Sequence, residues 1–299
     1  MNDRLDVLNK PIQKIGLFIK RKAEDVEASL HSILKILEAK NLDIKIASNS
    51  PHLKVKGYDI MDPELLNNKV DCVLSLGGDG TMLQVAHVLA RQGTTPIIGL
   101  HLGHLGFLTQ INMEEFEDAL QKLTEGRYRL KKRMLLDIQV IRNGKVHWSD
   151  FCLNEVVVHR KKIARIIDIR VQVEGMPLSR IRGDGVIIAT PMGSTAYSLS
   201  AGGPIVHPAV KDLVITSLAP HTLTHRPVVV PSDYKITVIP TDDDPDIRLS
   251  LTLDGQQECV IRGGDVIEIQ KSKKIIQLID LNRPGRFFET LQDKLHWRI

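Results

Sequence analysis

The residues best suited to chemistry lie in two segments rich in glycine and hydroxyl groups. In the first, Gly77-Gly78-Asp79-Gly80-Thr81, an apolar run ending at Leu76 passes straight into three glycines before a helical pattern begins. Glycines permit unusual backbone angles and remove side chains where another molecule must come close. The first amides of a following helix point outward with a partial positive charge, so Gly77, Gly78, Gly80 and Thr81 are candidate phosphate ligands. The spacing is neither that of the dinucleotide fingerprint nor that of the Walker loop. A carboxylate inside such a cradle would repel phosphate, so Asp79 needs a reason to be there. It could hold a divalent cation, accept a proton from an attacking hydroxyl, or do both. The plainer reading is a strand-to-helix turn in which Asp79 caps the helix and no ligand is involved. The second segment runs from Asp184 to Pro204 and includes Thr195-Ala196-Tyr197-Ser198-Leu199-Ser200. Its short hydroxyl side chains and the flat, polar-tipped Tyr197 suit ribose hydroxyls and a base edge. A Ser/Gly-rich surface loop is the alternative.

The elements that must position these segments change style near residue 130. Before it, strands at 12–19, 42–47, 70–76 and 96–100 alternate with helices at 24–39, 81–91 and 114–123. In the first helix Val26, Leu30, Ile33, Leu34 and Leu37 fall on one face. This alternation predicts a mostly parallel, Rossmann- or flavodoxin-like sheet with helices on its faces. After it, strands are expected at 136–141, 146–159, 166–173, 186–189, 228–230, 234–239, 248–253, 266–269 and 274–278, with Asn143-Gly144 as a hairpin turn. So many short strands predict an all-β antiparallel sandwich or barrel. The expected domains are therefore 1–130 (α/β) and 131–275 (β-sandwich). Thr241-Asp242-Asp243-Asp244-Pro245-Asp246 reads as a solvated hairpin loop rather than a metal site.

Composition narrows the partners. A net charge of +4 over 299 residues lacks the concentrated basic face that a duplex binder needs, and 4% aromatic content argues against a stacking surface for single strands. Nucleic acid is not an expected partner. Cys72, Cys152 and Cys259 are odd in number and far apart, as in reduced, buried thiols of a cytoplasmic protein. No apolar run reaches about 18 residues, so no membrane partner is expected. His101 and His104 are spaced by three, but a loop pair without carboxylates makes poor metal ligation.

The sequence resembles the NAD kinase family along nearly its whole length. The resemblance is carried by Gly77-Gly78-Asp79-Gly80-Thr81, the 103–109 segment (Gly-His-Leu-Gly-Phe-Leu-Thr), Asn154-Glu155, and all of Asp184 to Pro204. It continues in Pro220-His221-Thr222-Leu223, Arg226-Pro227, Asp254-Gly255-Gln256 and the end from Leu291 to Trp297. The glycine loop alone is shared with diacylglycerol and sphingosine kinases; the Ser-Thr-Ala-Tyr-Ser-Leu-Ser run is far more specific. What the resemblance implies is an α/β domain joined to a β-sandwich, with 276–299 returning to the first domain. The implied reaction moves the terminal phosphoryl group of ATP, or of polyphosphate, to the adenosine 2′-hydroxyl of NAD. A divalent cation, Mg²⁺, would screen the triphosphate. Asp79 would be the catalytic base. By the same resemblance Asn154 and Glu155 hold ribose and adenine groups, and Phe107 packs beside the adenine. Asp184 faces the nicotinamide side, and Thr195, Ala196, Tyr197, Ser198, Leu199 and Ser200 line the cleft with Gly80. Arg165, Arg182 and Gln256 match positions that contact NAD, and a homodimer or homotetramer is implied. Met192 departs from the family's usual threonine, so a hydroxyl contact would be missing there while the turn survives. Two other functions share parts of the pattern: a lipid kinase, which would show an apolar patch at the cleft, and a nucleotide sensor without turnover.

Overall fold

The structure, a computed structural model, describes residues 9–20, 24–50, 53–103, 106–161, 166–241, 249–281 and 285–297. The chain divides into two units, Met1–Arg133 with Ile275–Ile299, and Met134–Lys274.

The first unit opens with β1 (Lys14–Ile19), α1 (Glu24–Ala39), β2 (Asp43–Ser48), β3 (Ile60–Met61), β4 (Cys72–Leu76), α2 (Asp79–Gln92), β5 (Ile97–Leu100) and α3 (Phe116–Thr124). The strands lie in the order β3-β2-β1-β4-β5, and every neighbouring pair is parallel. This is the arrangement that strand–helix alternation predicts. Ile15, Leu17, Phe18 and Ile19 of β1 and all five residues of β4 are buried, as a sheet covered on both faces requires. Leu30, Ile33, Leu34 and Leu37 of α1 join Leu17, Ile19 and Leu74 in one core, so the helical spacing of three and four serves packing on the sheet. The ends of β4 and β5 carry the glycine loop and the segment after it, because Gly77 N–H donates to the Leu100 carbonyl at 3.0 Å.

The second unit contains β6 (Arg129–Arg142) from Met134 on, β7 (Lys145–Cys152), β8 (Glu155–Arg160), β9 (Ile167–Val173), β10 (Met176–Gly183), β11 (Gly185–Ala189), the short helix α4 (Tyr197–Ser200), β12 (Asp212–Leu218), β13 (Val228–Pro231), β14 (Ile236–Pro240), β15 (Leu249–Leu253), β16 (Gln257–Ile261) and β17 (Val266–Asp280) as far as Lys274. One antiparallel sheet runs β13-β12-β11-β8-β15-β16. The other joins β10, β9, β14 and β17, with the β6–β7 hairpin beside β17. Asn143 and Gly144 close that hairpin at φ 51° and 73°, the left-handed pair of a tight two-residue turn. Alternate residues of both sheets, such as Val156, Val158, Val186, Ile188, Ile169 and Val238, form a shared core. Val157, Ile187, Ala189 and Val214 face the other way, under Ala201 and Val206, which follow α4. Both faces of β8 and β11 are thus covered, which explains their apolar runs Val156–Val158 and Val186–Ala189.

The last turn of β17 pairs in parallel with β5 through Leu278 and Ile97, and α5 (Arg286–Leu295) follows in the first unit.

Candidate active site

In the first unit Asp79 is the opening residue of α2, and Gly78 rather than Asp79 is the N-cap, with no side-chain cap. The carboxylate therefore does not do the capping work of the plainer reading. It reaches across to the segment after β5 instead. Oδ2 accepts the Phe107 N–H at 2.8 Å, and Oδ1 accepts those of Leu108 at 3.0 Å and Thr109 at 3.2 Å. Gly106 makes this approach possible, since a Cβ there would lie 1.9 Å from Asp79 Oδ1. Gly106 N–H is itself taken by Thr109 Oγ1 at 3.1 Å. A carboxylate offers about four lone-pair directions, so three amides leave one open, on Oδ2.

Around it, Gly78 and Gly80 are exposed, with no atom within 4 Å of where a Cβ would stand. Thr81, expected to meet phosphate, is buried with its side chain against Gly77. Phe107 is half-buried, its ring centroid 6.5 Å from that of Phe287. His101 is buried and bonded through Nδ1 to the Gly103 carbonyl at 2.9 Å; His104 lies outside the described residues.

In the second unit the sequence between β7 and β8 breaks at Leu153-Asn154, and three other segments hold that corner. Asp254, in the β15–β16 turn at φ 51°, accepts the backbone N–H groups of Leu153 (2.9 Å), Asn154 (2.7 Å) and Glu155 (3.2 Å). Thr190, at the end of β11, donates its N–H to the Asn154 carbonyl at 2.8 Å and its hydroxyl to the Leu153 carbonyl at 2.7 Å. Gly193 packs so close that a Cβ would sit 2.1 Å from the Asn154 oxygen. The corner's backbone groups are thus satisfied, while two side-chain atoms are not. Asn154 Oδ1 and Glu155 Oε2 are buried with no hydrogen-bond partner among the described residues. Buried polar atoms normally have a partner, so this pair is built to receive one. Burial first, and then the charge of Asp254, push the Glu155 carboxyl up to about 8. Asp254 keeps some exposure as a residue, but its carboxylate turns inward. Burial raises it to about 6 against the pull of its three amides.

The hydroxyl segment folds as a 3-10 turn over Gly193–Thr195 and then α4. Met192 does not disturb it: its carbonyl accepts the Thr195 hydroxyl at 3.1 Å, and its side chain is buried. Tyr197 and Ser200 are exposed, and Thr195, Ala196 and Leu199 are half-buried. Ser198 turns inward, fully buried and 3.0 Å from Thr216 Oγ1, because the short helix must anchor on the sheet. Tyr197 and Asp184 line one cleft of about 360 Å³ together with His159, Arg160 and Lys161. Asp184 pairs there with Arg160 at 2.7 Å. Arg182 is exposed and stands 3.5 Å from Asp168, and Gln256 is exposed next to the Asp254 turn. Arg165 and the aspartates of 242–246 lie outside the described residues.

Sequence reasoning did not single out Asp254, Thr190, His159 or Arg160. Asp254 stood in a matched motif, but nothing in a one-dimensional pattern shows which backbone its carboxylate will meet. The three cysteines are free and buried, as expected.

Residues 47–128 match the ATP-NAD kinase N-terminal domain and residues 153–281 the ATP-NAD kinase C-terminal domain. The NAD kinase of Geobacter sulfurreducens is 37% identical over 286 residues, covering 96% of this chain and 99% of that one. That of Cupriavidus pinatubonensis is 35% identical over 297 residues, covering 98% and 95%. Among solved structures, yeast NADH kinase complexed with NADH has the same fold, with a TM-score of 0.85 at 22% identity over 96% of this chain and 88% of that one. An NAD kinase from Archaeoglobus fulgidus in complex with ATP gives 0.73 at 28% identity, over 96% of this chain and 100% of that one. Both domains of the family are matched in order, and relatives align almost end to end: the chain belongs to the NAD kinase family.

Proposed function

We propose that the chain transfers the terminal phosphoryl group of ATP to the 2′-hydroxyl of the adenosine ribose of NAD, giving NADP. Family membership supports a phosphotransferase with an alcohol acceptor. The observation that carries the assignment of the base is the Asp79 carboxylate, fixed by three amides beside exposed glycines with one lone-pair direction open. On this reading the ribose oxygen attacks the terminal phosphorus, its proton passes to Asp79 Oδ2, and ADP leaves with the bridging oxygen. A loose transition state asks for a positioned weak base rather than a strong one. Of the loop residues assigned to the phosphates, Gly77 and Thr81 spend their own N–H groups on the Leu100 and Gly78 carbonyls and so shape the loop, while the exposed Gly78 and Gly80 let the phosphates come close. Asn154 and Glu155, with their unpartnered buried oxygens, hold the adenosine. Phe107, Arg165, Arg182, Asp184, Thr195, Ala196, Tyr197, Ser198, Leu199, Ser200 and Gln256 complete the dinucleotide site, with Ser198 acting through its anchored backbone.

Family members are ATP-dependent and generally need a divalent cation; Mg²⁺ is the cation proposed. Among the described residues no three His, Cys, Asp or Glu side chains converge on one point. That fits an ion held mostly by triphosphate oxygens and water, with Asp79 as the nearby carboxylate. When bound, such an ion screens the triphosphate charge. Among the described residues no helix is long and apolar enough to cross a membrane. The buried free thiols support work in the reducing cytoplasm, and the assembly proposed is a homodimer or homotetramer.

A coupled assay for NADP, run with ATP or polyphosphate, with NAD or NADH, and with a chelator followed by Mg²⁺, tests this reading. NADP formed with ATP, stopped by chelation and restored by Mg²⁺, is the expected result. Asp79→Asn should keep NAD binding and lose most turnover. No NADP with any donor refutes the function, and undiminished turnover in Asp79→Asn removes Asp79 as the base.

A further inference from the structure

Asp254 touches neither of the segments assigned to chemistry by their sequence, yet it is bonded to the backbone of three successive residues at the β7–β8 corner. The corner is closed from the other side by Thr190 and Gly193. Glu155 N–H points to Asp254 Oδ1, and the Asp254 N–H returns to the Glu155 carbonyl at 3.0 Å. Asp254 is thus tied to the backbone of Glu155, and the Glu155 carboxyl stays in a buried corner with Oε2 unpartnered among the described residues. An ionised Glu155 would leave Oε2 buried, charged and without a hydrogen bond, which is costly. A neutral carboxyl in the same place carries a donor as well as an acceptor.

We propose that Asp254 is a positioning residue for dinucleotide binding: it fixes the Leu153–Glu155 backbone so that the buried, unpartnered Glu155 carboxyl meets the bound nucleotide as a hydrogen-bond donor. The inference rests on the reading of Asn154 and Glu155 as the adenosine subsite. The surroundings agree with it. From the strand β11 and the turn after it Ala189, Thr190 and Gly193 meet this corner, and none of them is charged. From β7 and β6 come the acidic Asp150 and Asp137 and the buried Cys152 thiol, which feels both of them together with Asp254 and Glu155. Asp254 is the one charge that bears appreciably on Glu155, and among the described residues no cation offsets it. A neutral donor there can meet a hydroxyl or ring-nitrogen acceptor of the nucleotide without the desolvation that a charged group would require.

The inference predicts an alkaline limit on NAD affinity set by Glu155 and moved by Asp254. With the intact chain, NAD binding is measured by calorimetry from about pH 6 to about pH 9.5, in two buffers of different ionisation heat. Wild type should bind NAD without net proton uptake at the acidic end. Around pH 8 it should take up a fraction of a proton, rising toward one as affinity comes to fall roughly tenfold per further unit, since only the protonated form binds well. Asp254→Asn removes the charge and also turns one acceptor into a donor, so at least one of the three amides loses its partner and the pH of the limb, rather than overall affinity, is the readout. The weakening should then begin at least about one pH unit lower, with KM for NAD rising more than kcat falls and KM for ATP unmoved. Glu155→Gln should abolish the alkaline limb. A merely structural role for Asp254 would change affinity at all pH values equally and leave the limb in place, and that result overturns the inference. Should Asp254→Asn fail to fold, the wild-type proton uptake still decides: none between about pH 7 and pH 9.5 overturns it. NADP formation by the wild type tests the underlying reading separately, so the two failures cannot be confused.

Discussion

A Glu155→Gln substitution should make the protein's stability less sensitive to alkali. Glu155 is 5% exposed, and burial with the charge of Asp254 raises its carboxyl from 4.5 to about 8. The unfolded chain releases the proton near the ordinary value, whereas the folded chain keeps it until near the raised one. Below both values the group is protonated in both states and contributes no pH dependence. As pH rises between them, the unfolded state alone ionises, so native stability falls throughout that window. Each pH unit costs at most about 1.4 kcal/mol, so crossing the roughly 3.5 units between the two values sets a ceiling of about 5 kcal/mol. Relaxation and water penetration around a buried carboxyl reduce this, and about 1–2 kcal/mol is the working expectation. The substituted glutamine cannot ionise and escapes the loss, although burying its amide costs about the same at every pH. The readout is therefore the slope. Midpoints of thermal unfolding of wild type and variant, followed from about pH 5 to about pH 8, should diverge by about 2–8 °C, with the variant gaining as pH rises. Parallel curves across that window would refute a neutral, buried Glu155 and remove the physical basis for its donor role.

Two further perturbations follow from close approaches and shared hydrogen bonds. Gly106→Ala would place a methyl 1.9 Å from Asp79 Oδ1, forcing the carboxylate off its amides; turnover should fall roughly a hundredfold, as misplaced catalytic groups do, and unchanged kcat would show that the fixed orientation is not needed. Thr190→Val keeps the volume but removes the hydroxyl that serves the Leu153 carbonyl and the Gly193 N–H; denaturant unfolding should show a loss of about 1–3 kcal/mol, with KM for NAD rising because the Asn154-Glu155 corner loosens, and a fully stable variant with normal KM would separate that corner from binding.

Several elements were legible because their cause is local. The apolar spacing of Leu30, Ile33, Leu34 and Leu37 marked α1, whose bounds agree with the structure, and Asn143-Gly144 marked a hairpin, because φ above zero is cheap for those residues. Others were not. The apolar stretch 146–159 read as one strand, but it is two, broken at Leu153-Asn154, where Asp254 and Thr190 take up the backbone from elsewhere in the chain. The reverse happened at 266–278: two expected strands are the single β17, since Lys271 to Lys274 are polar but continue the same extended strand. The strands β10, β12 and β16 went unseen because each borrows its order from neighbours. Met176 and Leu178 are exposed and carry no periodic signal, and the β9–β10 turn uses Glu174-Gly175 at φ 52° and 76°, with glutamate where asparagine would have announced it.

The functional residues divide along the same line. Sequence by itself determined the residue types that chemistry needs in a glycine loop with a carboxylate and a hydroxyl-rich segment, because these are local requirements for phosphate approach and hydrogen bonding; the Asn154-Glu155 pair was legible only through the family resemblance. Only the tertiary structure decided what each side chain meets. It turned Asp79 from a possible helix cap into a carboxylate held by Phe107, Leu108 and Thr109, and sent Ser198 inward to Thr216. It also brought Asp254 to the Leu153–Glu155 backbone across about a hundred residues, leaving Asn154 Oδ1 and Glu155 Oε2 buried without a partner among the described residues. The physical reason is that burial and hydrogen-bond partnership are properties of packed surfaces distant in the chain, and no local pattern of residues encodes them.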